Sequence, residues 1–145
     1  MKLLILIGGV SGSGKTGVAE FLTSNLVHKA KRFSADDFFS RNGNYQFQPE
    51  LLSEAHAQCL ENVSNNMQED CPVIIVDNTF TTEWELSHYF DLAQHYEYEV
   101  IYLAAVNHHG NKDIHGVPYN SITKQVTNLL TTIKDLSLKP YKDEE

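Results

Sequence analysis

The chain is poor in several things at once. It has two cysteines, Cys59 and Cys71, too few for a disulfide framework and without metal-ligand spacing, so both read as thiols of a reducing compartment. It has two arginines, Arg32 and Arg41, and a net charge of −8. Broad, non-specific binding to duplex nucleic acid calls for a basic face; this composition argues against one but leaves room for a local groove around a strand end. Long apolar runs are missing too. Met1-Lys2 and the aliphatic residues after them superficially resemble a signal peptide, but the run is too short for one and far too short to span a bilayer. These shortages together predict a cytoplasmic protein with no membrane partner. There is no repeat, low-complexity tract or linker, and 145 residues with 41% hydrophobic content suit one domain with one real core. We expect that domain over residues 1–138 and a charged tail over 139–145.

What is present is concentrated near the start. Gly9-Val10-Ser11-Gly12-Ser13-Gly14-Lys15-Thr16 fits the P-loop pattern G-x-x-x-x-G-K-[ST]. Leu3–Ile7 before it reads as a buried strand, and a helical pattern begins at Lys15. Glycines let successive backbone N–H groups turn towards a phosphate, and the helix N-terminus adds partial positive charge. The expected nucleotide-binding set is Gly9, Ser11, Gly12, Ser13, Gly14, Lys15, Thr16 and Gly17. Lys15 would reach the β- and γ-phosphates of ATP, and the Thr16 hydroxyl would ligate Mg²⁺.

Further along, Val18, Phe21, Leu22 and Leu26 predict a first helix running to about His28. His28-Lys29-Ala30-Lys31-Arg32 is the most basic patch, and Phe33-Ser34 lead to Asp36-Asp37 as a short strand. On that reading the patch lies at the far end of the strand from the carboxylates, about 15 Å away, and forms a solvated bottom edge rather than a substrate groove. Asn42-Gly43-Asn44 marks a turn. Leu52, Ala55, Cys59, Val63 and Met67 form the stripe of a second helix starting near Pro49. Val73–Val76 is a continuous apolar run, as in a strand buried on both faces, and ends at Asp77. Thr82-Glu83-Trp84-Glu85 fits a capping box opening a third helix through Leu86, Tyr89, Phe90 and Ala93. Tyr98–Leu103 predicts a fourth strand, Asn107–Gly116 a polar loop, and Ile122, Val126, Leu129 and Ile133 a last helix. Alternating strands and helices imply a parallel, doubly wound α/β sheet with its ligands beyond the carboxyl ends of the strands. The P-loop, Asp36-Asp37, Asp77 and the segment after Leu103 all follow strand ends.

Phosphoryl transfer requires a held triphosphate, neutralised charge and an aligned, deprotonated nucleophile. Asp77 suits the magnesium shell in the Walker B manner, or else caps the next turn. Asp36 or Asp37 could take the proton of an acceptor hydroxyl, or cap the helix that Phe38 and Phe39 begin. Arg41 could grip a substrate phosphate or stand solvated. Asn107–Gly116 could close as a lid in which Lys112 is the one fixed cation; His108, His109 and His115 there make only a weak case for zinc. Trp84, Tyr89 and Phe90 read as core packing rather than a base-stacking platform. Phe38, Phe39, Tyr45 and Phe47 either line an acceptor pocket or cover the core.

Gly9–Thr16, Ser34-Ala35-Asp36-Asp37-Phe38, Glu54-Ala55-His56, Ile75-Val76-Asp77-Asn78-Thr79, Glu83-Trp84-Glu85-Leu86 and Ile114-His115-Gly116-Val117 together resemble the polynucleotide-kinase-like P-loop kinases, an AAA-type ATP-binding group. The nearest branch is that of the Nedd-four-binding proteins, and the resemblance runs from about Leu3 to Leu130. It implies a three-layer P-loop sandwich with four to five parallel strands in the order 2-3-1-4. It also implies Asp36 as general base for a 5′-hydroxyl and Asp77 as the Walker B aspartate. Two positions depart from the family pattern. Phe39 stands where phage-type kinases carry an arginine, and the lid arginines fall on Asn111 and Lys112. Arginine's bidentate phosphate contact is thereby replaced, at most, by a point charge. The expected catalytic set is Lys15, Asp36 and Lys112, with Asp36, Asp37 and Arg41 at the substrate and Thr16 and Asp77 at the metal. The expected activity is transfer of the γ-phosphoryl group of ATP to a polynucleotide or nucleotide 5′-hydroxyl. A small-molecule kinase and an ATP-binding module without transfer are the rivals.

Overall fold

The computed structural model describes residues 1–26, 29–41, 43–106 and 117–137. Along the chain these form β1 (Leu3–Gly8), α1 (Lys15–Asn25), β2 (Ala30–Phe33), a 3-10 turn over Ala35–Phe39, and a small hairpin of β3 (Ser40–Arg41) and β4 (Asn44–Tyr45). A second 3-10 turn at Pro49–Leu51 leads into α2 (Leu52–Gln68), followed by β5 (Val73–Asp77), α3 (Glu83–Tyr96), β6 (Glu99–Ala104) and α4 (Tyr119–Ser137). The first and last of the candidate loop residues, Asn107 and Gly116, the segment between them, and the tail at 139–145 lie outside the described residues.

β1 sits inside a parallel sheet ordered β2-β5-β1-β6, which is 2-3-1-4 when only the strands of this sheet are counted, as the resemblance implies. Ile7 pairs with Asp77 and Gly8 with Ala104, so the strands end level with one another and deliver their following turns to one edge. Alternate residues supply two cores. Leu4, Leu6, Ile74 and Val76 face α2 and α3, while Ile5, Ile7, Val73 and Ile75 face α1 at Ala19. All five residues of β5 are buried, which is why that strand reads as an unbroken apolar run.

The helices meet this sheet in different ways. α2 buries Ala55, Cys59, Val63 and Met67, one residue per turn on a single stripe, and Leu52 stays exposed. α3 opens on a complete capping box: the Thr82 hydroxyl accepts from the Glu85 N–H, and the Glu85 carboxylate accepts from the Thr82 N–H. α1 is shorter than expected, ending at Asn25, and only Ala19 is fully buried. Val18 and Phe21 are exposed, because the small Ala19 faces the sheet and turns them outward.

β2 corrects the expectation for the basic patch. The strand begins inside that patch at Ala30 and ends at Phe33; the acidic pair lies in the 3-10 turn that follows. Arg32 is therefore one residue from the strand's carboxyl end. It pairs with Ile75, and so shares the face on which Asp77 stands two residues later. The Arg32 Nη2 donates to Asp77 Oδ2 at 3.0 Å. Arg32 belongs to the carboxyl edge and not to a solvated edge opposite it.

Candidate active site

The turn after β1 is fixed by backbone geometry. Gly9 has φ +148, and a Cβ there would fall 2.6 Å from Ser13 Oγ and 2.7 Å from the Ala105 carbonyl oxygen, distances that only glycine avoids. Its N–H donates to the Thr79 carbonyl and the Ala105 N–H donates to the Gly8 carbonyl. The loop is thus clamped between the ends of β5 and β6. Gly14, in the left-handed region at φ 92, is the N-cap of α1 and offers no side-chain cap, and a helix N-terminus is a favourable place for an anion. The Lys15 ammonium donates to the Val10 carbonyl at 3.1 Å, folding its side chain back over the loop.

A cavity of about 650 Å³ opens above this loop. Ser11, Gly12, Gly14, Lys15 and Thr16 line it from the P-loop side, Asp77 from the sheet, and Asp36 from the turn after β2. Three separate stretches of sequence are thus brought to one volume. Gly9, Ser13 and Gly17 lie outside its lining: Gly9 shapes the loop, Ser13 Oγ is buried without a hydrogen-bond partner, and Gly17 is on α1 with open space where a Cβ would be. Asp37 points instead to a smaller cavity with Phe33 and Phe38, and its carboxylate is 3.6 Å from the Arg32 guanidinium. Arg41 is in β3, and Lys112 lies outside the described residues.

Asp77 is almost wholly buried at 3% exposure. Burial pushes its pKa up, and Arg32 beside it opposes that rise. Its Oδ2 takes the Arg32 hydrogen bond, while Oδ1 is buried and has no hydrogen-bond partner among the described residues. A buried carboxylate oxygen without a partner is costly. With the Thr16 hydroxyl lining the same cavity, this oxygen forms a hard, all-oxygen donor set of the kind magnesium accepts. The residues present therefore fit that ion.

Asp36 enters the cavity's lining from the 3-10 turn after β2. The Tyr45 hydroxyl donates to its Oδ1 at 3.4 Å, and its backbone N–H is capped by the Ser34 hydroxyl at 3.3 Å. The turn carrying it is fastened to the sheet by Asn78, whose Oδ1 accepts from the Ala35 N–H at 2.8 Å. The Asn78 amide in turn donates to the Tyr89 hydroxyl, and that hydroxyl donates to the Cys59 sulfur at 3.4 Å. This buried chain joins β5, α2, α3 and the Asp36 turn, and burial raises the pKa of both Cys59 and Tyr89. His56 of α2 also lines the cavity. Burial lowers its pKa, against the fields of Glu85 and Asp36, which leaves it neutral at pH 7.

Two contributors escape a reading of the sequence alone. Arg32 becomes visible only once the β2–β5 register is known. Gln125 of α4 reaches across 114 positions to accept the Ser11 N–H at 2.9 Å. Trp84 is 71% exposed and is not part of the core, which corrects that expectation; Tyr89 alone of its aromatic group is fully buried. Phe39 is buried and packs edge-on against Phe38, Tyr45 and Phe47, so it is a core residue. Phe47, at 44% exposure, lines the cavity. The aromatic cluster thus does both things considered for it.

Comparison with known proteins bears on this arrangement. The family described as AAA domain matches residues 4–107. NEDD4-binding protein 2 of Homo sapiens is 30% identical over 131 residues, covering 86% of this chain and 7% of that protein. The 2′,3′-cyclic-nucleotide 3′-phosphodiesterase of Mus musculus is 27% identical over 100 residues, covering 69% of this chain and 23% of that protein. The chain therefore spans a small part of the length of either relative. Among solved structures, one of the Pnkp1/Rnl/Hen1 RNA repair complex superposes with a TM-score of 0.76 at 19% identity, covering 99% of this chain and 49% of that one.

Proposed function

The chain belongs to the AAA domain family, in its P-loop kinase-like form, and from that premise we propose that it is an ATP-dependent phosphotransferase acting on the 5′-hydroxyl of a polynucleotide or nucleotide. The observation carrying this reading is that one cavity gathers the N-terminus of α1 with Lys15 and Thr16, a buried aspartate, Asp77, and a second aspartate, Asp36, from the turn after β2. The first group suits a triphosphate, and the last suits a hydroxyl.

In this mechanism the N–H groups of Gly12–Thr16 hold the β- and γ-phosphates, and Lys15 offsets the negative charge that builds on them. Thr16 and Asp77 would hold Mg²⁺, which when bound polarises the phosphoryl oxygens. Asp36 takes the proton of the acceptor hydroxyl as that oxygen bonds to the γ-phosphorus. The bond from that phosphorus to the β-γ bridging oxygen breaks, giving ADP and a 5′-phosphate ester. Lys112, placed by the family resemblance in the lid, is assigned to the transferring phosphoryl group; Asp37 and Arg41 are assigned to the acceptor strand. Asp37 enters through its contact with Arg32. No helix among the described residues is long and apolar enough to cross a membrane, and we assign the protein to the cytoplasm.

A transfer assay with γ-labelled ATP and 5′-hydroxyl DNA, RNA and nucleoside acceptors tests the reading. Label should appear on an oligonucleotide, and Asp36→Asn should slow its transfer by about 10²–10⁴-fold. Transfer to nucleosides alone would move the assignment to a small-molecule kinase. The Arg32–Asp77 pair favours one other reading, since an aspartate already holding a guanidinium suits a module that binds ATP without transferring phosphate. Binding of ATP with no label transfer to any acceptor would select it.

A further inference from the structure

Beside the P-loop cavity lies a second one of about 500 Å³, walled by Leu52, His56 and Leu60 of α2 and by Trp84 and His88 of α3. The two cavities are contiguous: Leu52, His56, Asn78 and Glu85 line both. They differ in chemistry. Among the described residues the second has no lysine or arginine in its lining, and Glu85 repels anions, so these walls do not suit a phosphate. It offers aromatic and aliphatic faces instead. Trp84 is exposed and stands edge-to-face with His88, ring centres 4.8 Å apart. An exposed indole at a cavity mouth leaves its π-face open to a ring. The floor is Phe80, fully buried with φ 44, a left-handed backbone that a bulky residue adopts only when its surroundings hold it there. The Tyr102 hydroxyl secures it by donating to the Phe80 carbonyl at 3.0 Å.

Position selects the occupant. His56 feels both Asp36 and Glu85, and it borders both cavities, so the second cavity opens on the side where the acceptor hydroxyl would meet its base. We propose that this cavity is the base subsite of the acceptor: the nucleobase adjoining the reacting hydroxyl enters between α2 and α3 and stacks on Trp84, with His56 at the passage between the two cavities. A volume of about 500 Å³ is within the range of small-ligand sites, and stacking takes any base, giving affinity without sequence preference. This inference rests on the hydroxyl-kinase reading for the identity of the ligand, and its test separates the two.

Trp84 is the chain's one tryptophan, so its emission reports on this cavity alone. Titration with a 5′-hydroxyl dinucleotide, without ATP, should change Trp84 fluorescence in a saturable way. The same sugar-phosphate with its first base removed should bind at least roughly five times more weakly, and ADP should leave the emission unchanged. In the transfer assay, Trp84→Leu should raise the acceptor KM by roughly five- to hundredfold, the range expected for one lost base–aromatic stack, with a much smaller effect on kcat. Ala57→Phe fills the cavity from an exposed helix position and should raise KM likewise while keeping the parent's melting temperature. The subsite is overturned if the dinucleotide and its abasic counterpart bind equally, if the emission follows ADP instead, or if both variants keep the parent KM. A stacked dinucleotide without label transfer would retain the subsite and remove the kinase reading. Normal transfer with an unresponsive tryptophan would do the reverse.

Discussion

The two halves of the site are built from different materials. The phosphate half is backbone: a loop clamped by carbonyls and N–H groups of neighbouring strand ends, with glycine required at Gly9. The half we assign to the acceptor is side chain: Asp36 from a 3-10 turn, Asn78 from beyond β5, His56 from α2 and Glu85 from α3. A half made of backbone is settled by local sequence and tolerates little change. A half made of side chains depends on packing between distant segments and can be altered one group at a time. If that contrast is right, acceptor-side substitutions should remove transfer and leave nucleotide binding intact, whereas P-loop substitutions should remove both.

The largest separation should come from Asp36→Asn. Its kcat for label transfer should fall by about 10²–10⁴-fold, the usual contribution of a positioned base, while the rise in melting temperature with ATP-Mg²⁺ stays at the parent value. Loss of that rise would mean the two halves are not separable. Arg32→Leu comes next. Stripping the partner from a buried carboxylate typically costs about 3–5 kcal/mol; Arg32 is partly open to water at 22%, so denaturant unfolding should show about the lower figure. The sign with pH is fixed by Asp77, whose folded-state pKa lies above its ordinary value because of burial. Such a group adds stability that is full below its unfolded value and is lost as pH rises through its folded value. Removing Arg32 raises the folded value further, so the parent–variant gap should be widest near neutrality and narrow on acidification.

Lys15→Ala probes the phosphate half. At ATP about a hundred times the parent Kd, the parent should gain about 2.7 kcal/mol of apparent stability by mass action, and the variant should gain almost none. Thr82→Ala, which breaks the box at the start of α3, should cost about 1 kcal/mol in thermal unfolding. The smallest effect is that of His56→Gln. Burial lowers the His56 pKa, so the folded state resists protonation and the parent loses stability as pH falls below about 6.5. The variant should lack that component, at most about 1.4 kcal/mol per pH unit, and a shallower slope of unfolding free energy between pH 6.5 and 5 would reveal it.

The same division explains what could be read in advance. The P-loop, the α2 stripe from Ala55 to Met67 and the Thr82–Glu85 box are each encoded within a turn or a few turns of chain, so spacing alone predicts them. The sheet order came through family resemblance, because nothing local distinguishes one parallel order from another. Arg32 was misplaced for a specific reason. A strand boundary shifted by a few residues moves a long side chain from one end of a sheet to the other, and composition pulled the basic patch together as though it were one surface. Val18 and Phe21 have helical spacing but face outward, since periodicity identifies a helix without saying how wide a face the sheet has room for. Trp84 reads as core by hydrophobicity alone. Its exposure follows from lying in the first turn of α3, at the mouth of a cavity whose other wall comes from α2.

Gln125 has a mechanical consequence. It holds α4 to the loop through the Ser11 N–H, and the Thr132 hydroxyl, buried, holds the same helix to the Thr81 carbonyl at 2.7 Å. The two ties are about 10 Å apart along the axis. A rod fastened at two points cannot turn; fastened at one, it becomes a lever with its fulcrum at the remaining tie. An anion that drew the Ser11 N–H to itself would compete with Gln125 for that one donor, so occupancy of the loop and the hold on the amino-terminal half of α4 are linked through a single backbone nitrogen.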